Sequence, residues 1–236
     1  MTDSSSSAWH SRWQTVSERL RAAELQAKRA PGSVTLLAVS KTFGAPAVAA
    51  VHEAGQVAFG ENYIQEAVEK IQALDALRAQ LVWHCIGPIQ SNKTRVVAAH
   101  FDWVQTIDRL KIAQRLSEQR PPHLPDLQVC IQVNVDAGRT KSGVDLDEVD
   151  ALAEAVRALP RLRLRGLMCI PDPVDGFTAQ CAVFARAQAV LLRWQDRGWD
   201  VDTLSMGMSA DLEAAVASGA TMVRVGSAIF GSRQYA

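Results

Sequence analysis

The chain has 236 residues, 25 basic side chains against 25 acidic ones, and 48% hydrophobic residues. Balanced charge without a long run of either sign removes the electrostatic case for nucleic acid or an anionic membrane as partner. The start, Met1 to Ser7, has no basic segment followed by an apolar one, and nowhere do about 18 apolar residues run together, so we expect a cytoplasmic protein that is neither exported nor inserted in a membrane.

The first element expected is an amphipathic helix, because Trp9, Trp13, Val16 and Leu20 recur on one helical face before Pro31 and Gly32 end the segment. The serine-rich residues 1–8 are expected to be flexible, and residues 9–236 to form one domain. Val34 to Val39 is an unbroken apolar run, which suits a parallel strand covered on both faces, and it ends in Ser40 and Lys41. Further short apolar strands fall near 57–59, 81–86, 102–105, 128–134, 162–168, 202–205 and 221–225, making eight. Helical patterns lie between them, clearest at Ile64, Ala67, Val68, Ile71 and Leu74, at Val149, Leu152 and Val156, and at Phe177, Cys181, Phe184 and Leu191. Arg120 to Pro125 is expected to be disordered. Eight βα units in a chain near the roughly 250 residues typical of one barrel predict the α/β class: a single closed (β/α)8 TIM barrel with an extra N-terminal helix. Cys85, Cys130, Cys169 and Cys181 show no CxxC pairing, so neither a disulfide nor a metal site is expected.

In such a barrel the functional groups sit at the C-terminal ends of the strands. Here those ends are polar: Ser40 and Lys41, Glu61 to Tyr63, His84 to Gln90, Gln132 and Asn134, Ser205 to Ser209, and Arg224 to Ser227. Any one of them could merely cap a strand, but all six together favour a site. The last two segments carry a glycine and hydroxyls just ahead of helices beginning near Asp211 and Ser227, which gives close backbone approach and a helix dipole for a phosphate; ordinary N-capping by Ser209 or Ser227 is the competing explanation. A lysine at the mouth with a phosphate cradle opposite suits pyridoxal phosphate, since an amine held against apolar walls can attack an aldehyde. The same residues admit a barrel aldolase or a sugar-phosphate isomerase.

The motifs Leu37 to Lys41, Phe59 to Tyr63, Trp83 to Gly87 with Gln90 to Lys93, Ile131 to Asn134 with Lys141 to Gly143, Gly166 to Met168, Leu204 to Ser209 with Asp211, and Val223 to Gly226 with Phe230 and Gly231 give the chain a resemblance to a known family from about position 12 to 233. It resembles the pyridoxal phosphate homeostasis proteins, relatives of the alanine racemase N-terminal barrel, the fold type III barrel of pyridoxal phosphate proteins. Two departures are Thr106, where a serine is more usual, and Cys85, where a larger apolar residue is common. The resemblance implies pyridoxal 5'-phosphate as cofactor, held by Lys41 as an aldimine, with Arg224 facing the pyridine nitrogen and Ser209, Gly226 and Ser227 at the phosphate. Asn62 and Ser205 are further expected contacts, each of which could equally be a loop hydrogen bond or cap. His84 beside Trp83 is expected to be a core or supporting residue more than an acid or base.

A guanidinium does not give up its proton in a protein, so a pyridine nitrogen accepting from Arg224 stays unprotonated and the ring is a poorer electron sink. The expected role is therefore intracellular homeostasis of the cofactor, binding it and passing it to apoenzymes, by a monomer without turnover. The alternative is an amino-acid racemase or related enzyme, but the racemases that this barrel resembles bring a catalytic tyrosine from a second domain, and the chain ends at Tyr235 and Ala236. Tyr63 is its only other tyrosine.

Overall fold

The computed structural model describes residues 3–136 and 142–231. Helix α1 (Asp3–Gln26) precedes a regular alternation: β1 (Thr35–Val39), α2 (Ala45–Glu53), β2 (Ala58–Glu61), α3 (Ile64–Ala73), β3 (Val82–Cys85), α4 (Thr94–His100), β4 (Trp103–Ile107), α5 (Leu110–Gln119) and β5 (Leu127–Asn134). It continues with β6 (Val144–Asp145), α6 (Val149–Arg157), β7 (Leu162–Met168), α7 (Phe177–Asp196), β8 (Thr203–Ser205), α8 (Leu212–Ala217), β9 (Met222–Val225) and α9 (Ser227–Phe230). All strand pairings are parallel, in the order β4-β3-β2-β1-β9-β8-β7-β5, and β4 also pairs with β5, which closes the ring. The eight-stranded barrel and the extra N-terminal helix are thus as expected.

Three details differ from the sequence reading. Helix α1 begins at Asp3, well inside the serine-rich stretch. A ninth strand exists, because β5 is eight residues long and outruns its neighbours, so Val144 and Asp145 add onto its free end opposite Val133 and Asn134. Residues 120–125 are irregular but pinned: Arg120 donates to the carbonyls of Ala98, Phe101 and Pro125 at 2.7, 2.8 and 2.8 Å. Lys141 and Tyr235 lie outside the described residues.

Side chains alternate across each strand. Phe59, Trp83, Val104, Ile131 and Leu204 join the large core between sheet and helices, where Trp194, Phe101 and Phe184 are also buried, each burial stabilising by roughly 1.5–3 kcal/mol. A second, small apolar cluster of Leu37, Val39, Ala58, Ile86 and Met222 plugs the barrel lumen. The rest of the lumen is polar, since His84, Gln105, Ser205 and Arg224 are buried there. That division places the site.

Candidate functional site

Leu37 and Val39 belong to the lumen cluster and Ala38 to the outer core, so period-two alternation turns Ser40 outward and Lys41 inward over the barrel mouth. Both neighbours of Lys41 are fixed. Ser40 Oγ donates to Glu61 Oε1 at 2.5 Å, and Lys70 Nζ on α3 donates to the Ser40 carbonyl at 2.7 Å. The Thr42 amide donates to Glu66 Oε1 at 2.6 Å, from a residue held at φ 70°, a left-handed conformation costly for a β-branched side chain. Lys70 ties these together through Glu61 at 2.7 Å and Glu66 at 2.6 Å. Burial pushes the Glu61 carboxyl above its ordinary range against the pull of Lys70, and its Oε2 has no partner. Among the described residues nothing accepts a hydrogen bond from the Lys41 amine itself.

Arg224 rises from β9 beside Leu37 and is buried. Its Nη1 donates to Ser205 Oγ at 2.8 Å and its Nη2 to the Cys169 carbonyl at 2.9 Å. Both acceptors are neutral, and among the described residues no carboxylate forms an ion pair with it; burial lowers its pKa. Ser205, expected to touch a ligand, is instead fully buried behind Arg224. His84 lies deeper, stacked on Trp103 with ring centroids 5.1 Å apart, and burial pulls its pKa down to about 3. Tyr63 is half exposed at the start of α3.

The loop after β8 turns at Gly207, whose φ is 89° and where a Cβ would lie 2.4 Å from Ala215 Cβ, so only glycine lets it pass so close to α8. Asp211 then accepts from the Met208 amide at 2.6 Å, and Arg19 of α1 donates to the Ser209 carbonyl at 2.8 Å while pairing with Glu213 at 2.7 Å. The corner after β9 is equally tight: a Cβ on Gly226 would stand 3.2 Å from the Val39 carbonyl. Beyond it, α9 is held at its far end by Trp9, which donates to the Phe230 carbonyl at 3.1 Å, and by the stacking of Phe230 on Phe43, centroids 5.2 Å apart. Helix α1 therefore braces both loops, and Phe43 links them to the lysine turn.

These elements meet around one cavity of about 400 Å³, whose wall includes Lys41, Asn62, Ser209, Arg224, Gly226 and Ser227. Six of the seven sequence-predicted site residues thus share it, and only Ser205 stands behind the wall. Val39, Ile86, Ile170 and Met208 supply apolar faces, the last two 42% and 40% exposed at its rim. Asn62 Oδ1 is buried without a partner. Neither His84 nor Tyr63 reaches the wall. Sequence reasoning missed Gln105, Lys70 and Arg19, whose partners include residues 100, 30 and 194 positions away.

The family model described as alanine racemase, N-terminal domain, matches residues 17–234. A protein of Pseudomonas aeruginosa named pyridoxal phosphate homeostasis protein is 58% identical over 220 residues, covering 93% of this chain and 94% of its own length. Its namesake in Escherichia coli strain K12 is 52% identical over 221 residues, with the same coverage. Among solved structures, PipY of Synechococcus elongatus with PLP bound superposes with a TM-score of 0.77 at 36% identity, covering 89% of this chain and 98% of that one.

Proposed function

The chain belongs to the alanine racemase N-terminal domain family and, within it, to the pyridoxal phosphate homeostasis proteins, and on that premise we propose that it holds pyridoxal phosphate in the mouth of its barrel. The observation that carries the reading is the convergence of an unengaged lysine, a buried arginine and two helix-leading loops on one cavity. Its volume falls within the ~300–1,000 Å³ of small-ligand sites. The buried, unpartnered Asn62 Oδ1 asks for a donor that a ligand hydroxyl can supply.

When bound, the cofactor brings a reactive aldehyde, which a lysine amine can take up covalently. In this reading Lys41 provides that amine, held in place by the Ser40 and Thr42 contacts on either side. Arg224 donates to the ring nitrogen and leaves that atom unprotonated, because its guanidinium keeps its own protons. Ser209, Gly226 and Ser227 receive the phosphate on hydroxyls and on the free amides of the first turn of α9. Ser205 acts on the ligand only through Arg224.

This wall suits retention more than turnover. Racemisation needs acid/base groups on both faces of the substrate, and among the described residues of the wall Lys41 and Arg224 are the only ionisable ones. Limiting the free aldehyde and passing the cofactor to apoenzymes then follow as its role, with the half-exposed rim of Ile170 and Met208 as the exit. Titrating the protein with pyridoxal phosphate should produce a visible absorption band that Lys41→Ala lacks. The same band in both proteins, or no band in either, would contradict the reading.

A further inference from the structure

A chain of polar side chains runs down the lumen from Arg224. Arg224 Nη1 reaches Ser205 Oγ at 2.8 Å, Ser205 Oγ reaches Gln105 Oε1 at 2.7 Å, and Gln105 Nε2 lies 2.9 Å from His84 Nδ1 and 3.1 Å from Met222 Sδ. All four polar residues are buried, with Gln105 and Ser205 fully excluded from solvent. In such a place each group must find its complement, and an amide turned the wrong way would set its carbonyl oxygen against the Met222 sulfur, two acceptors face to face.

The thioether decides which way the amide is turned. Sulfur in methionine accepts and cannot donate, so the end of Gln105 facing Met222 must be the NH2 group. Its two hydrogens then serve Met222 Sδ and His84 Nδ1, which makes Nδ1 an acceptor and leaves the ring proton on Nε2. The other end, Oε1, can only accept, so the Ser205 hydroxyl must point its hydrogen at Gln105. Ser205 Oγ is thereby left with lone pairs alone toward Arg224. Every proton in the chain is assigned, and all donors point away from the cavity except those of Arg224 itself.

We propose that Gln105 is a positioning residue: by holding the Ser205 hydroxyl as a fixed acceptor for Arg224, it orients the guanidinium so that its remaining N–H groups face the cavity and present a ring nitrogen with a donor only. The part that concerns the ring nitrogen rests on the reading of Arg224 given above. The relay itself does not, since it exists in the protein without ligand. Both neighbours of the guanidinium, Ser205 Oγ and the Cys169 carbonyl, are neutral acceptors, so the relay orients Arg224 without offering a base to its protons.

The test uses the full chain labelled with 15N-histidine, first without ligand and then with pyridoxal phosphate 15N-labelled at the ring. In the ligand-free protein, long-range 1H–15N correlations should show His84 neutral with its proton on Nε2. In Gln105→Glu the carboxylate still accepts from Ser205 but no longer donates to His84, so the histidine proton should move to Nδ1. Gln105→Met keeps the volume and removes the acceptor; affinity should fall roughly tenfold, the worth of one oriented hydrogen bond to a charged group, and the ring-nitrogen resonance should shift. A wild-type His84 protonated on Nδ1, or a Gln105→Met protein with unchanged affinity and ring-nitrogen shift, would overturn the proposal. If Gln105→Met does not fold, the wild-type and Gln105→Glu spectra decide it. Failure of the wild type to bind the cofactor at all would instead count against the functional reading, and the His84 spectrum would still decide the relay.

Discussion

His84 shows how a single buried side chain sets a pH dependence. Its ring is 1% exposed, and burial holds its pKa at about 3, against 6.5 for an ordinary histidine. Between those values the unfolded chain carries a proton that the native state refuses, so the native state loses ground as pH falls from about 6.5 toward 3, at about 1.4 kcal/mol per pH unit. Urea unfolding of the wild type and His84→Gln at pH 7.5, 6 and 5 should show the wild type losing about 2 kcal/mol more than the variant by pH 5. Parallel slopes would show that the imidazole is protonated freely within the fold.

At the scale of elements, the β1, β2 and α3 segment is organised around Lys70, which reaches Ser40, Glu61 and Glu66 from a helix position only 4% exposed. Removing one partner of a buried pair leaves an uncompensated charge, costing about 3–5 kcal/mol. Lys70→Met should therefore be less stable than the wild type by about that much at pH 8. The deficit should shrink at pH 5, because the Glu61 carboxyl, already raised by burial, can then take up a proton. A deficit independent of pH would assign the loss to packing instead. The β9–α9 corner makes a different prediction. A side chain at Gly226 meets the Val39 carbonyl at 3.2 Å and Val39 Cβ at 3.4 Å, so Gly226→Val must push the first turn of α9 away from β1. On the proposed phosphate contact, affinity for pyridoxal phosphate should drop about tenfold, and for unphosphorylated pyridoxal much less. Equal loss for both ligands would mean that the lysine turn had moved.

At the scale of the whole molecule, the barrel was legible because parallel strands covered on both faces are continuous apolar runs, and Val34 to Val39 is one. The two loop glycines and the lysine at its strand end were legible for a related reason: each sits at a boundary where an apolar pattern stops. The two-residue β6 carries no run and was missed. So was Gln105, whose partners Ser205 and His84 lie 100 and 21 positions away and come together only when the barrel closes. Lys70 was missed as well, because the Ser40 carbonyl that it holds lies 30 positions away. Ser205 was read as either a ligand contact or a hydrogen-bonding support, and it is fully buried, bonded to Arg224 and Gln105.

A molecule that retains its cofactor, rather than one that turns over amino acids, should exchange the α-proton of L- and D-amino acids in deuterated water no faster than free pyridoxal phosphate does. Exchange near the ~10 per second of a median enzyme, abolished in Lys41→Ala, would instead make it a racemase-like catalyst. Borohydride reduction of the cofactor-loaded protein followed by peptide mass mapping locates the residue of attachment. One pyridoxyl adduct, on Lys41, is expected. An adduct on Lys93 or Lys141 with Lys41 unmodified would contradict that assignment.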